Sequence, residues 1–113
     1  MTDLKKLKSE PLMQVYHTGT VTVVGFGGRP IHSKIDFSLY RGVLTELVHR
    51  YDCRILAIDL AGVMTVPAGL LGVLVPIRKM VERIEIHNPT DSVRNMLITI
   101  QIESLFDICE TVA

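Results

Sequence analysis

The position best suited to chemistry in this chain is the passage from an apolar run, residues 55–59, through a short loop into a predicted helix. Such junctions commonly hold phosphates, nucleophiles or metal ligands, because a helix start offers free N–H groups and the positive end of its dipole. Here the loop and first helical turn contain one hydroxyl, that of Thr65, and no Ser, Cys or His. The positions that follow are occupied by unreactive side chains: Val66, Pro67, Ala68 and Gly69. The sequence therefore predicts a junction that docks a partner and does not react with it.

No other group of residues predicts catalysis or metal binding. Asp59 ends the apolar run, where α/β enzymes often keep catalytic groups, but with only Thr65 nearby we expect it to accept hydrogen bonds from loop N–H groups. Cys53 and Cys109 have no metal-ligand spacing and too few partners for a disulfide framework. The histidines lie far apart, with no i, i+4 pair, at His17, His32, His49 and His87. We therefore predict no catalytic, cofactor-binding or metal-binding residue, and no enzymatic activity.

The start of the helix after the loop is expected to lack a cap. Pro67 suits the first helical position and makes Val66 the expected N-cap residue, yet Val has no acceptor for the N–H groups of Ala68 and Gly69. Together with Met64, the apolar Val66 and Pro67 are expected to form an exposed docking patch, unless packing within the chain uses them. The glycine-rich stretch 25–28 lacks the G-x-G-x-x-G spacing of a dinucleotide site and predicts an ordinary loop.

The amino-acid composition limits which other classes of protein the chain can belong to. The 113 residues are 48% hydrophobic and 21% charged, with 12 basic and 12 acidic side chains, which predicts one packed domain at residues 12–113 after a loose segment at 1–11. A net charge of zero argues against nucleic-acid binding, which depends on phosphate neutralisation. The longest apolar stretch, 63–77, is too short and too rich in Pro and Gly to span a bilayer. With no signal peptide visible, we expect a cytoplasmic protein with reduced thiols.

The pattern of apolar residues predicts an α/β fold with a mixed sheet and right-handed crossovers, in the order β-β-α-β-α-β-α. Asp36 is expected to cap the first helix and either Thr90 or Asp91 the third, while Pro76 should kink or end the second. The continuous apolar strand at 55–59 predicts a central parallel strand covered on both faces. The predicted elements are strands at 12–16, 20–24, 55–59 and 83–87, and helices ending near 50, 77 and 98. The tail at 102–108 is compatible with a short helix or a final strand.

Two blocks of sequence carry a family resemblance. The first is Leu56-Ala-Ile-Asp-Leu-Ala-Gly-Val63 followed by Ala68-Gly-Leu-Leu-Gly-Val-Leu74, and the second runs from Asn88-Pro89-Thr90 to Leu105-Phe106-Asp107-Ile108. Over residues 12–108 the chain resembles the STAS domain, the family that includes the anti-sigma factor antagonists of bacteria. The resemblance implies a mixed β-sheet with helices packed on it. It also implies a signalling role in transcription regulation, exerted by binding a protein partner, either an anti-sigma kinase-like ATPase or a signalling scaffold.

The chain departs from this family at the position that regulates it. Family members typically open the helix with Asp-Ser-Ser-Gly-Leu-Gly, and aligning Gly69-Leu70 with the family's Gly-Leu places Val66 on the Asp and Pro67 on the first Ser. Ala68 then stands where partner kinases phosphorylate a Ser, so the phosphoswitch should be absent. The expected partner-binding residues are Thr65, Val66, Pro67, Ala68, Gly69 and Leu70, with Arg29 and His32 from the neighbouring loop at 25–33.

A second function of a different class stays open from the sequence. Because residues 63–77 are strongly apolar and some STAS-like proteins serve transport systems, the chain is also compatible with an accessory subunit that binds a lipid or small apolar molecule. An enzyme would require titratable groups that converge around Asp59. The partner, the pathway and the oligomeric state are not determined by the sequence, and a homo-oligomer is compatible with it.

Overall fold

The computed structural model describes residues 12–101 and 103–109. The segment predicted to be loose, 1–11, and the end of the predicted domain, 110–113, lie outside the described residues. In chain order, the elements are β1 Gln14–His17, β2 Val21–Gly25, α1 Ser38–Arg50, β3 Ile55–Asp59, α2 Ala68–Arg78, β4 Arg83–His87, α3 Asp91–Thr99, a 3₁₀ turn Glu103–Leu105 and β5 Asp107–Cys109. The predicted α/β class is confirmed, and the tail forms a short turn followed by a fifth strand.

The five strands form one mixed sheet in the order β1-β2-β3-β4-β5. β1 pairs antiparallel with β2, with an irregularity between Val15 and His17, and the remaining strands are parallel. The register aligns Val24 with Ile58, Ile86 and Ile108 across four strands. This shared register places side chains of the same parity on the same face of the sheet.

All three helices lie on one face of this sheet. Parallel strands that follow one another in chain order, joined by right-handed crossovers, must place every connecting helix on the same side. The hydrophobic core agrees, because its sheet residues all have one parity: Val24, Leu56, Ile58, Ile84 and Ile86. The helices contribute Tyr40, Leu44, Val48, Leu70, Leu71, Val73, Leu74, Ile77, Val93 and Leu97. None of the described helices combines the length and apolar character that crossing a bilayer requires.

The other side of the sheet, called the open sheet face, carries the alternate residues of the four parallel strands. Ala57 is fully buried there but does not belong to the core, and Val21 is 40% exposed. The predicted cover of β3 on both faces is confirmed at the centre of the strand, where Leu56, Ala57 and Ile58 are all buried. On the open sheet face the register neighbours of Ala57 are Val23 on β2 and Glu85 on β4.

The helices begin and end within a few residues of the predicted positions. Phe37, not Asp36, occupies the N-cap position of α1, although the Asp36 carboxylate accepts a hydrogen bond from the Ser38 N–H at 3.0 Å. That hydrogen bond lowers the pKa of Asp36. α2 contains Pro76 and ends two residues later at Arg78. Its buried residues are Leu70, Leu71, Val73, Leu74 and Ile77.

The one-sided core makes a direct prediction about β3. We expect Leu56→Ala to lower the free energy of unfolding by about 2 to 5 kcal/mol, because Leu56 is fully buried beneath the helices. The matched control is Ile55→Ala on the open sheet face, where Ile55 is only half-buried, and we expect less than half of that loss. Urea unfolding monitored by circular dichroism measures both. Equal losses would contradict a core confined to one face.

Candidate functional site

The segment from β3 to the first turn of α2, residues 60–70, is called the docking corner. Its path is set first by Asp59, whose Oδ1 accepts a hydrogen bond from the Ala61 N–H at 3.0 Å and lies 3.5 Å from the amide nitrogen of Asn88. The Leu60 N–H donates to the carbonyl of His87 at 2.8 Å. Asp59 therefore orders the loop, as the sequence predicts, and its carboxylate is engaged with backbone and amide donors.

Thr90 ties the docking corner to the next helix. Its hydroxyl donates to the carbonyl of Val63 at 2.8 Å and accepts from the Val93 N–H at 3.3 Å, which is the N-cap bond of α3. Of the two caps that the sequence left open, Thr90 is the one used. One hydroxyl thus satisfies both a helix start and a loop carbonyl, which restricts movement of the corner relative to α3.

α2 begins one residue later than predicted. Pro67 is the N-cap residue, with extended backbone at ψ 139°, and Ala68 is the first helical residue. Val66 therefore is not the cap, because the extended conformation continues through Pro67 itself. The Leu70 N–H donates to the Pro67 carbonyl at 3.0 Å. No side chain caps this helix start, which confirms the predicted lack of a cap.

Burial divides the predicted docking patch in two. Val66 is 4% exposed and belongs to the core, as does Leu70, so their side chains do not face outward. This corrects the expected exposure of Val66, because packing in the hydrophobic core uses that side chain. Met64 is 62% exposed, and the other accessible members are Thr65 and Ala68, with parts of Pro67 and Gly69.

The apolar stretch that suggested a ligand-binding accessory subunit is also used by the fold. Seven of its fifteen residues are buried in the core: Val63, Val66, Leu70, Leu71, Val73, Leu74 and Ile77. The apolar character of residues 63–77 is thus explained by helix packing against the sheet. This stretch supplies no separate argument for a bound lipid.

The loop at residues 25–33 lies against the docking corner at one point. A Cβ on Gly62 would approach the Cα of Gly28 to 3.1 Å, and both residues have positive φ, +77° and +74°. Such conformations favour glycine, so both positions require it. Arg29 and His32 are exposed, and they line a cleft of about 680 Å³ whose floor includes Phe26 and Ile31. That cleft contains no residue from 60–70, so the structure does not join Arg29 and His32 to the corner in one pocket.

The open sheet face holds a group of polar residues that the sequence analysis did not assemble. The ring nitrogen Nε2 of His87 lies 2.8 Å from Oε1 of Glu85, and Nε of Arg83 lies 2.8 Å from Oε2 of Glu85 and 3.5 Å from Oδ2 of Asp107. The hydrogen bond from His87, followed by that from Arg83, lowers the pKa of Glu85. Burial raises the pKa of the Cys109 thiol, and nearby carboxylates add to that effect.

A sequence signal for this cluster exists in the strand alternation. Glu85 and His87 are two residues apart on β4, and Asp107 and Cys109 are two residues apart on β5, so each pair shares a face. Spacing patterns such as i, i+4 pairs or C-x-x-C apply within one segment of sequence. They cannot identify residues that come together from two separate strands. The pairing of Glu85 with Asp107 and of His87 with Cys109 appears only with the register of the sheet.

A scan against models of known protein families found no match, and a search of curated proteins found none either. The resemblance to the STAS domain stays a prediction from the sequence blocks quoted above.

The contact between Gly69 and Phe37 yields a test of the corner's packing. A Cβ on Gly69 would lie 2.4 Å from the ring of Phe37, which is stacked on Tyr40 with ring centroids 5.9 Å apart. Gly69→Ala should therefore lower the free energy of unfolding by about 1 to 3 kcal/mol through overpacking. Gly72→Ala is the control on the same helix, since its Cβ meets nothing within 4 Å, and should raise stability by about 0.5 to 1 kcal/mol.

Chemical denaturation of both variants and the parent chain checks these opposite signs. Stabilisation by both substitutions would contradict the placement of the Phe37 ring over the start of α2.

Proposed function

We propose that this chain is a non-enzymatic protein-interaction module of the anti-sigma factor antagonist type. It docks an anti-sigma kinase-like ATPase through the accessible part of the docking corner. The observation that carries the proposal is the exposed, uncapped start of α2, in which unreactive residues stand beside the exposed Met64. The resemblance of residues 56–74 to the STAS domain supplies the class of partner, and the cytoplasm is the compartment in which such a partner and ATP occur.

The rigidity of the corner supports a docking role. Asp59, Thr90 and the Gly28–Gly62 contact hold the loop at three separate points. Binding by a surface that is already ordered avoids part of the conformational entropy that a mobile loop would lose. The same hydrogen bonds occupy the side chains that a catalytic site would need free, so they favour recognition over reaction.

The accessible contacts are of two kinds. Met64 offers a flexible apolar side chain of the type used at adaptable binding surfaces. The helix start offers the N–H groups of Ala68 and Gly69, and a carboxylate from the partner at this place gains about 0.3 to 1 kcal/mol from the helix dipole. Shape and apolar contact therefore carry most of the affinity, and the backbone donors orient the partner.

Replacement of Ala68 tests the docking surface. Ala68→Glu adds a bulky carboxylate in the first helical turn, which suits the helix dipole and preserves the fold while obstructing the partner. We expect the dissociation constant of the partner to rise at least tenfold, equivalent to about 1.4 kcal/mol. Ser92→Glu is the matched control, because Ser92 is exposed in the first turn of α3.

The measurement has two steps. Immobilised parent and variant chains are compared by quantitative mass spectrometry of retained proteins, and the purified partner is then titrated against each chain by calorimetry. Equal retention of every partner by the Ala68→Glu chain would remove the docking claim. The Ala68→Glu chain could instead fail to retain a protein that has no nucleotide-binding domain. That result would support the corner as the docking surface but contradict the proposal that the partner is a kinase-like ATPase.

The loss of the family's phosphoswitch gives a second test. Incubation with the purified kinase-like partner and ATP should leave residues 60–72 unmodified, because Ala68 carries no hydroxyl. Mass spectrometry of the proteolysed chain measures phosphate in this segment. An Ala68→Ser chain is the control that restores the family's acceptor, and we expect it to gain phosphate. Thr65 carries the single hydroxyl of residues 60–72 in the parent chain. Stoichiometric phosphate on that segment would refute the prediction that the phosphoswitch is absent.

A further inference from the structure

The open sheet face brings three different metal-binding side chains together across β4 and β5. The donor atoms of Glu85, His87 and Cys109 all lie within 4.8 Å of one another. Glu85 and His87 project from β4 on the same side, and Cys109 is the register partner of His87 on β5. This group, called the Glu-His-Cys cluster, is half-buried at all three positions. It belongs to neither the docking corner nor the cleft beside residues 25–33.

We propose that the Glu-His-Cys cluster is a zinc site. A thiolate, an imidazole nitrogen and a carboxylate form a mixed donor set of the kind that binds Zn²⁺, an ion that accepts sulfur, nitrogen and oxygen ligands. Hard ions such as Mg²⁺ and Ca²⁺ prefer sites made of oxygen ligands alone. The identity of the donors therefore selects zinc over the alkaline-earth ions.

The separation of the donors suits a tetrahedral ion after small side-chain rotations. Zinc bonds of about 2.0 to 2.3 Å in tetrahedral geometry place neighbouring ligand atoms about 3.3 to 3.8 Å apart. The donor atoms of the cluster lie within 4.8 Å of one another. The most distant pair therefore needs to approach by about 1 to 1.5 Å at most. His87 and Glu85 already point at each other, since Nε2 and Oε1 are 2.8 Å apart. Zinc binding requires these two atoms to separate by about 0.5 Å, and the proton that they share leaves for Nδ1 of His87 or for solvent.

Arg83 is the group that orients the carboxylate. Its Nε binds Oε2 of Glu85 at 2.8 Å, which leaves Oε1 directed towards the cluster. A hydrogen bond from a neighbouring group to a carboxylate that binds a metal fixes the orientation of that carboxylate. Arg83 also lies 3.5 Å from Asp107, so Asp107 is held at the side of the cluster and does not supply a fourth ligand. Three protein ligands leave the fourth position to water.

The charges around the cluster favour a cation despite Arg83. Glu85 and Asp107 carry two negative charges against the single positive charge of Arg83. Asp59, the register partner of His87 on β3, adds a third carboxylate in the adjacent row. Binding of Zn²⁺ forms one Zn–S bond and releases the thiol proton of Cys109 to solvent. The resulting thiolate and the Glu85 carboxylate together balance the charge of the ion.

A zinc ion here would also hold a short edge strand of the sheet in place. β5 has three residues, Asp107–Cys109, and among the described strands it pairs with β4 alone. Ligands from both strands make the ion a cross-link between them. Because the metal binds the folded chain, it should raise the midpoint of thermal unfolding as its concentration rises.

Metal titration of the full chain tests this inference. Chain stripped with a chelator is titrated with Co²⁺ and then Zn²⁺, followed by absorption spectroscopy and by competition with a chromophoric zinc chelator. We expect one ion per chain, a thiolate-to-cobalt charge-transfer band, and displacement of cobalt by zinc. Cys109→Ser and His87→Gln should each weaken zinc binding at least tenfold, and Cys109→Ser should abolish the charge-transfer band.

Matched controls separate the site from adventitious binding. Cys53→Ser and His49→Gln remove the same chemical groups elsewhere, and we expect both to bind zinc within twofold of the parent chain. Thermal unfolding of the parent chain with and without zinc gives a measurement that does not depend on any variant. Cobalt binding without a charge-transfer band, unchanged affinity in Cys109→Ser, or no rise in the unfolding midpoint with zinc would overturn the proposal. These outcomes leave the docking corner unaffected, because Ala68 and Met64 take no part in the cluster.

Discussion

The pairing of four parallel strands in chain order is the constraint on which the rest of the structure depends. Right-handed crossovers between such strands force α1, α2 and α3 onto one side, where their apolar stripes form a single core with Leu56 and Ile58. Within the described residues, the other side of the sheet carries strand side chains and no helix. This division places the start of α2 at the rim of the core, and it places the polar residues of β4 and β5 on a separate surface.

The docking corner shows how folding and recognition compete for the same residues. An apolar loop residue can either pack inward or face a partner, and Val66 is used by the core. Met64 and Ala68 remain accessible because Thr90 and Gly62 determine where the backbone turns. The corner presents a small surface of fixed shape, so an interface there needs further contacts beyond it to reach the area of a stable complex.

Local signals in the sequence predicted those parts of the fold that depend on local interactions. The apolar run at 55–59 matches β3 at both ends, and Thr90 was identified as one of two candidate caps. The predicted cap of α2 is wrong by one residue, because the backbone is still extended at Pro67 and the helix begins at Ala68. The Glu-His-Cys cluster was missed for a different reason. Its members meet only through the register between β4 and β5, which no local pattern of residues specifies.

The docking corner and the open sheet face share one backbone residue, and this limits how independent they are. The ring of His87 belongs to the Glu-His-Cys cluster, while its carbonyl accepts the N–H of Leu60 at the first position of the corner. Asp59 lies beside His87 in the sheet and holds the next N–H, that of Ala61. An ion that restrains His87 therefore also restrains the end of β4, against which the corner begins. The hydrogen bond between Leu60 and His87 is thus a direct backbone link between the docking corner and a residue of the Glu-His-Cys cluster.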